Sequence, residues 1–100
     1  MAELKKVLRQ CLESYAGKAL NGTLYLMSNS EETIFSITSI AQIRGETIIE
    51  TGIVARLEAD KIIIERDVSN KPLVDALEQA GISRQQIILA YQGEANPVGE

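Results

Sequence analysis

The apolar positions of this chain change period early and change back late. Leu4, Val7, Leu8, Cys11, Leu12 and Tyr15 recur at three- and four-residue spacings. That spacing predicts an amphipathic helix over residues 2–17. Lys5, Lys6, Arg9 and Glu13 fill its other side, and Gly17 supplies a stop. Residues 17–22 then read as a connector. From Thr23 the period becomes two, which predicts strands over 23–27, 33–43, 47–57 and 61–65. Turns fall at residues 29–32, at Arg44-Gly45-Glu46 and at Glu58-Ala59-Asp60. Loops this short favour an antiparallel four-stranded meander. Within its third strand, Thr47, Ile49, Thr51, Ile53, Ala55 and Leu57 alternate with Glu46, Ile48, Glu50, Gly52, Val54 and Arg56. Gly52 there marks a bulge or bend.

The helical period returns at Leu73, Ala76, Leu77 and Ala80. Ser69 or Asn70 is positioned to cap this second helix, and Pro72 fits its first turn. Gly81 closes it, with Ile82 able to pack back on Leu77. A final strand follows over 87–91. The expected architecture is α+β: N-terminal helix, antiparallel four-stranded meander, second helix, final strand. It forms one domain over residues 1–93, with a loose tail over 94–100.

Two short helices cover one face of such a sheet but hardly both. Strict alternation puts Ile34, Ile40, Ile48, Val54 and Ile63 on the outer face, among Thr, Gln, Glu and Lys. Clustered, these five form an association surface; scattered, they are the ordinary apolar content of a surface.

Composition narrows the chemistry. The 100 residues include no histidine and one cysteine. The commonest general base and metal ligand is absent, and neither a disulfide nor a cysteine zinc site can form within the chain. Cys11 lies on the apolar stripe, where a buried inert thiol is expected. Glu58, Asp60, Glu65 and Asp67 bracket one strand, and Glu65 and Asp67, two apart, fall on one face if the strand continues that far. Acids so placed could bind Mg²⁺ or serve as acid and base. Lys61 and Arg66 alternate with them, which favours a solvated strand edge. No G-x-G-x-x-G or P-loop is present. The expectation is no enzyme, no cofactor and no metal. A net charge of −4 argues against nonspecific coating of nucleic acid, yet the first helix is locally basic. Lys5, Lys6 and Arg9 are therefore the residues for a DNA contact, against the plainer reading of a solvated helix face. The opening MAELKKVLRQ lacks the apolar core of a signal peptide, and no apolar run approaches the ~18 residues of a membrane span. A cytoplasmic protein is expected.

Three stretches carry a family resemblance. LRQCLESYA (8–16) is similar to an opening helix ending in Tyr-Ala. DKIIIE (60–65) closes a comparable run of strands. LEQAGISRQQIILA (77–90) resembles a helix ending in an Ala/Leu-Gly-Ile step, a polar turn and an Ile-Val-Leu strand. Together they resemble the XisI family of cyanobacterial element-excision controlling factors. The Trp and His common in that family are missing here. The resemblance implies a non-catalytic accessory protein that acts with a XisH-like partner in site-specific DNA excision. It carries over no catalytic residue. For such a protein the outer-face residues read from the strand alternation, Ile34, Ile40, Ile48, Val54 and Ile63, would be the partner-binding set, on a surface also suited to self-association. The alternative is a small DNA-binding protein using Lys5, Lys6 and Arg9.

Overall fold

A computed structural model describes the backbone of residues 2–94 and the side chains of residues 4–94. The tail expected from residue 94 lies, beyond Glu94, outside the described residues. Glu94 itself is tethered: its carboxylate accepts from the Leu89 N–H and from Arg84, each at 2.7 Å.

Helix α1 spans Ala2–Glu13, shorter than its apolar spacing implies. The chain from Ser14 to Ala16 tightens into i→i+3 bonds, Ser14, Tyr15 and Ala16 donating to the carbonyls of Cys11, Leu12 and Glu13. Six strands follow in one sheet, ordered β1-β2-β3-β4-β5-β6: β1 Gly17–Lys18, β2 Gly22–Ser28, β3 Ile34–Ile43, β4 Glu46–Glu58, β5 Lys61–Asp67 and β6 Ile87–Leu89. The meander has five antiparallel strands, not four, because the two-residue β1 folds back on Thr23 and Leu24. So short a strand leaves no periodic trace in a sequence. Helix α2, Leu73–Gln79, carries the chain back so that β6 lies parallel to β5. β6 stops at Leu89, and Ala90–Gln92 turn into a 3₁₀ segment.

Local chemistry accounts for the ends. Arg44 (φ 55°) and Gly45 (φ 82°) form the two-residue loop between β3 and β4, with Ile43 paired to Glu46. α2 closes as expected: Gly81 has φ 103°, its N–H donates to the Glu78 carbonyl, and the Ile82 N–H reaches back to Leu77 O at 3.0 Å. Its N-terminus departs from expectation. Neither Ser69 nor Asn70 caps it; Pro72 is the N-cap residue and offers no side-chain bond. The Asp67 carboxylate, at the end of β5, accepts from the Leu73 N–H at 2.6 Å.

One layer of helix covers one face of the sheet. Leu4, Leu8 and Leu12 of α1 and Leu73 and Leu77 of α2 pack on Phe35, Ile37, Ile53, Ala55, Ile62, Ile64, Ile87 and Leu89. Each fully buried Leu or Ile in this layer contributes roughly 1.5–3 kcal/mol. The helices stop short of the β3–β4 loop, and every residue from 42 to 50 is exposed. The molecule is elongated, 43 × 26 × 25 Å.

Two bulges set which side chains share a face. Ile37 pairs with Ile53 but Thr38 pairs with Thr51, so Gly52 is an extra residue in β4. Val54 pairs with Arg66 but Ala55 with Ile64, so Glu65 is extra in β5. An extra residue reverses the alternation beyond it. The bulge read at Gly52 is present.

Tyr15, at the end of the α1 turn, donates to the Lys71 carbonyl at 2.6 Å, and the Lys71 ammonium lies 5.6 Å from its ring centre. Burial, then the negative charge of Asp67, Cys11 and Asp75, pushes its phenol up to about 12. A group held protonated this way stabilises the fold fully below its ordinary value of 10.0 and loses that contribution as pH rises through about 12. An alkaline titration followed by phenolate absorbance should show a late step that Tyr15→Phe removes, together with the stability loss in that window. A wild-type chain whose tyrosines all titrate near 10 would contradict this.

Candidate interaction surface

The face of the sheet away from the helices is built by register. Across β2, β3 and β4 its rows are Thr23–Ile40–Ile49, Tyr25–Thr38–Thr51 and Met27–Ser36–Val54, and Ile34, Arg56, Ile63 and Ile88 form a fourth row across β3 to β6. Thr38 and Thr51 share a hydroxyl hydrogen bond of 3.0 Å. Tyr25, Met27, Ile34, Ile40 and Ile49 are exposed, and Val54 is half-buried. A shallow apolar groove runs between Met27, Ile34 and Val54.

Of the five residues expected here, Ile34, Ile40 and Val54 stand on this face. Ile48 does not. The Gly52 bulge turns it to the helix side, opposite Ala41, and puts Ile49 beside Ile40 instead. Ile63 is on the face by register but is fully buried. It stands between Arg56 and Ile88, and Arg56 is tethered above the strand by ion pairs to both Glu58 and Glu65. Tyr25, Met27 and Ile49 were missed. The alternation of β2 could have supplied the first two, whereas Ile49 required knowing that Gly52 is an inserted residue.

The four acids do not converge. Glu58 and Glu65 both bind Arg56, whose guanidinium they hold above its ordinary pKa, Glu65 contributing most. Asp67 lies on the opposite face from Glu65, because the bulge at Glu65 cancels the two-residue parity between them. There it accepts from the Ser69 N–H (2.9 Å), the Ser69 hydroxyl (2.6 Å) and the Leu73 N–H. Asp60 sits in the β4–β5 turn with φ 60°. Among the described residues, no three His, Cys, Asp or Glu side chains are grouped as metal ligands. Cys11 is half-buried, with its thiol pushed up by burial and 3.7 Å from the Ala76 carbonyl.

The three basic residues of α1 stand in different states. Arg9 is ion-paired to Glu32, Lys5 donates to the Glu31 carbonyl at 3.3 Å, and Lys6 is exposed. The turn between β2 and β3 therefore neutralises part of the basic face. No helix among the described residues is long and apolar enough to cross a membrane.

Comparison with known proteins bears on this arrangement. A search of curated proteins gave no match. Two solved structures share the fold. One is a XisI-like protein from Anabaena variabilis, 17% identical, with a TM-score of 0.69 over 92% of this chain and 84% of that one. The other is the fdxN element excision controlling factor XisI, also from Anabaena variabilis, 20% identical, with a TM-score of 0.55 over 96% of this chain and 86% of that one. The family model described as XisI protein matches residues 1–97, nearly the whole chain, and the chain therefore belongs to the XisI family.

Proposed function

We propose that this chain is a non-catalytic controlling factor that works with a XisH-like partner in site-specific excision of a DNA element. The partner docks on the outer sheet face. The observation that carries this reading is that face: Tyr25, Met27, Ile34, Ile40 and Ile49 are exposed on one side of a sheet whose other side is packed by helices. Such a surface suits a protein partner better than a small substrate. Of the four acids weighed for chemistry, Glu58 and Glu65 are held by Arg56 and Asp67 by the α2 N-terminus. The excision role rests on family membership and on the neighbouring structure of an excision controlling factor.

The test is co-purification with the XisH-like protein, followed by light scattering. The double variant Ile34→Asp, Val54→Asp should keep its circular dichroism and weaken the complex by about tenfold or more. An unchanged complex would remove the outer face from consideration. Steeply salt-dependent DNA binding that falls when Lys5, Lys6 and Arg9 become Ala, with no protein partner recovered, would favour the DNA-binding reading instead.

A further inference from the structure

The free edge of β4 begins where β5 leaves it, beyond the pairing of Ile53 with Asp67. The two-residue loop at Arg44 and Gly45 makes Ile43 and Glu46 a hydrogen-bonded pair. Hydrogen-bonded pairs recur at every second position, so Ala41 with Ile48 and Ser39 with Glu50 repeat it. The backbone groups of Glu46, Ile48 and Glu50 are thus spent on β3, and those of Thr47 and Ile49 point away from it. The Thr51 carbonyl keeps this phase, accepting from Arg66 Nε at 2.7 Å on the outward side. The Gly52 carbonyl is taken by the Val68 N–H at 2.9 Å, which confines the open edge to residues 46–50. All of these are exposed, with no Pro and no Lys among them to discourage a further strand.

Side chains choose the occupant. Glu46, Ile48 and Glu50 share the helix-side face of this edge, and Thr47 and Ile49 share the outer face. Glu46 has no ion pair among the described residues. Glu50 is held only loosely, by Arg66 at 3.7 Å, with its side chain 60% exposed. Arg44 belongs to the loop and lies off the edge. A second copy is a poor occupant: paired antiparallel about Ile48, it sets Glu46 opposite Glu50 at both ends, like charge against like. A strand with a basic residue opposite each glutamate and an aliphatic residue opposite Ile48 replaces both repulsions with attractions. The residues between them, opposite Thr47 and Ile49, are best β-branched. Such a segment is held by backbone hydrogen bonds as an added strand and selected by its charges. The net charge of −4 on the chain favours a basic partner in the same sense.

We propose that the β4 edge at residues 46–50 accepts, in antiparallel pairing, an extended segment of a partner protein with basic, aliphatic and basic residues at alternate positions. The site is the edge and not the outer face, so it stands or falls separately from the docking surface proposed above.

The probe is a peptide blocked at both ends, Gly-Lys-Val-Ile-Thr-Lys-Gly, titrated into the isotopically labelled full chain; its counterpart has Glu in place of both Lys. Amide shifts should centre on residues 46–50, and amide exchange should slow at Thr47 and Ile49. The basic peptide should bind about tenfold more tightly than the acidic one, by a margin that shrinks with added salt. Glu46→Lys with Glu50→Lys should reverse the preference, and Ile34→Asp with Val54→Asp should bind the basic peptide no less tightly than the unaltered chain. No binding, equal binding of the two peptides, a preference that survives the charge reversal, or shifts centred on the outer face would overturn the proposal.

Discussion

Asp67→Ala should destabilise the fold by about 2–3 kcal/mol, combining a lost helix cap with lost hydrogen bonds to a charged acceptor. The carboxylate holds three donors: the Leu73 N–H, the Ser69 N–H and the Ser69 hydroxyl. One of its oxygens caps α2 and the other fixes the turn between β5 and α2. Without it, Pro72 offers no substitute cap, and the first N–H groups of a seven-residue helix are left to water. Asp67→Asn should lie between, since the amide keeps one accepting oxygen. For a domain of this size the alanine loss corresponds to roughly 4–8 °C in Tm per kcal/mol. An unchanged Tm for Asp67→Ala would show that the turn is held by other contacts. The outcome also bears on function, because an acid whose loss melts the helix entry is occupied by structure.

Gly22→Ala should be comparably costly, about 1–3 kcal/mol, through overpacking that cannot relax locally. A Cβ on Gly22 would stand 2.1 Å from the Ile40 carbonyl oxygen and 2.6 Å from the Ala41 Cα. Both are backbone atoms of the neighbouring strand, so no side chain can swing aside. Relief requires β2 to separate from β3 at Gly22 and Ala41, where the Gln42 N–H also bonds the Asn21 carbonyl at 2.8 Å. The Ala19 N–H bonds Gly22 O at 2.8 Å, so the β1 hairpin would loosen with it. Faster amide exchange at Ala19 and Gln42, with little change at Ile62 or Ile64, is the expected signature. Uniform exchange and unchanged stability would contradict it.

Much of this fold is legible in the sequence because it depends on local periodicity. Leu4, Leu8 and Leu12 announce the buried stripe of α1. Gly81 and Ile82 announce the end of α2, and Arg44-Gly45 announces its hairpin. What stays hidden is the phase between strands. Strict alternation assigns Ile48 to the outer face and Glu65 and Asp67 to one face, and in each case a single inserted residue reverses the assignment. The candidate surface was therefore legible as a kind of surface, but only in part as a set of residues. Burial of Ile63 was not legible either, since it depends on neighbours supplied by β4 and β6. Asp67 as a cap at a distance of six residues has no short-range motif to reveal it.

Gly52 constrains the β3–β4 arm in an unusual way. A side chain there would touch little, its Cβ meeting only Val68 Cγ2 at 3.7 Å, so the identity of the residue is nearly free. Its place outside the alternation is not. Pairing all of these residues in strict alternation would turn the β3–β4 arm inside out, exchanging Ile49 for Ile48 beside Ile40, whereas a chain without the extra residue would keep the same faces. XisI chains compared through this arm should therefore be aligned by which way each residue faces. An alignment that counts Gly52 as an ordinary strand position against a chain without the bulge would match outward residues with inward ones along the arm.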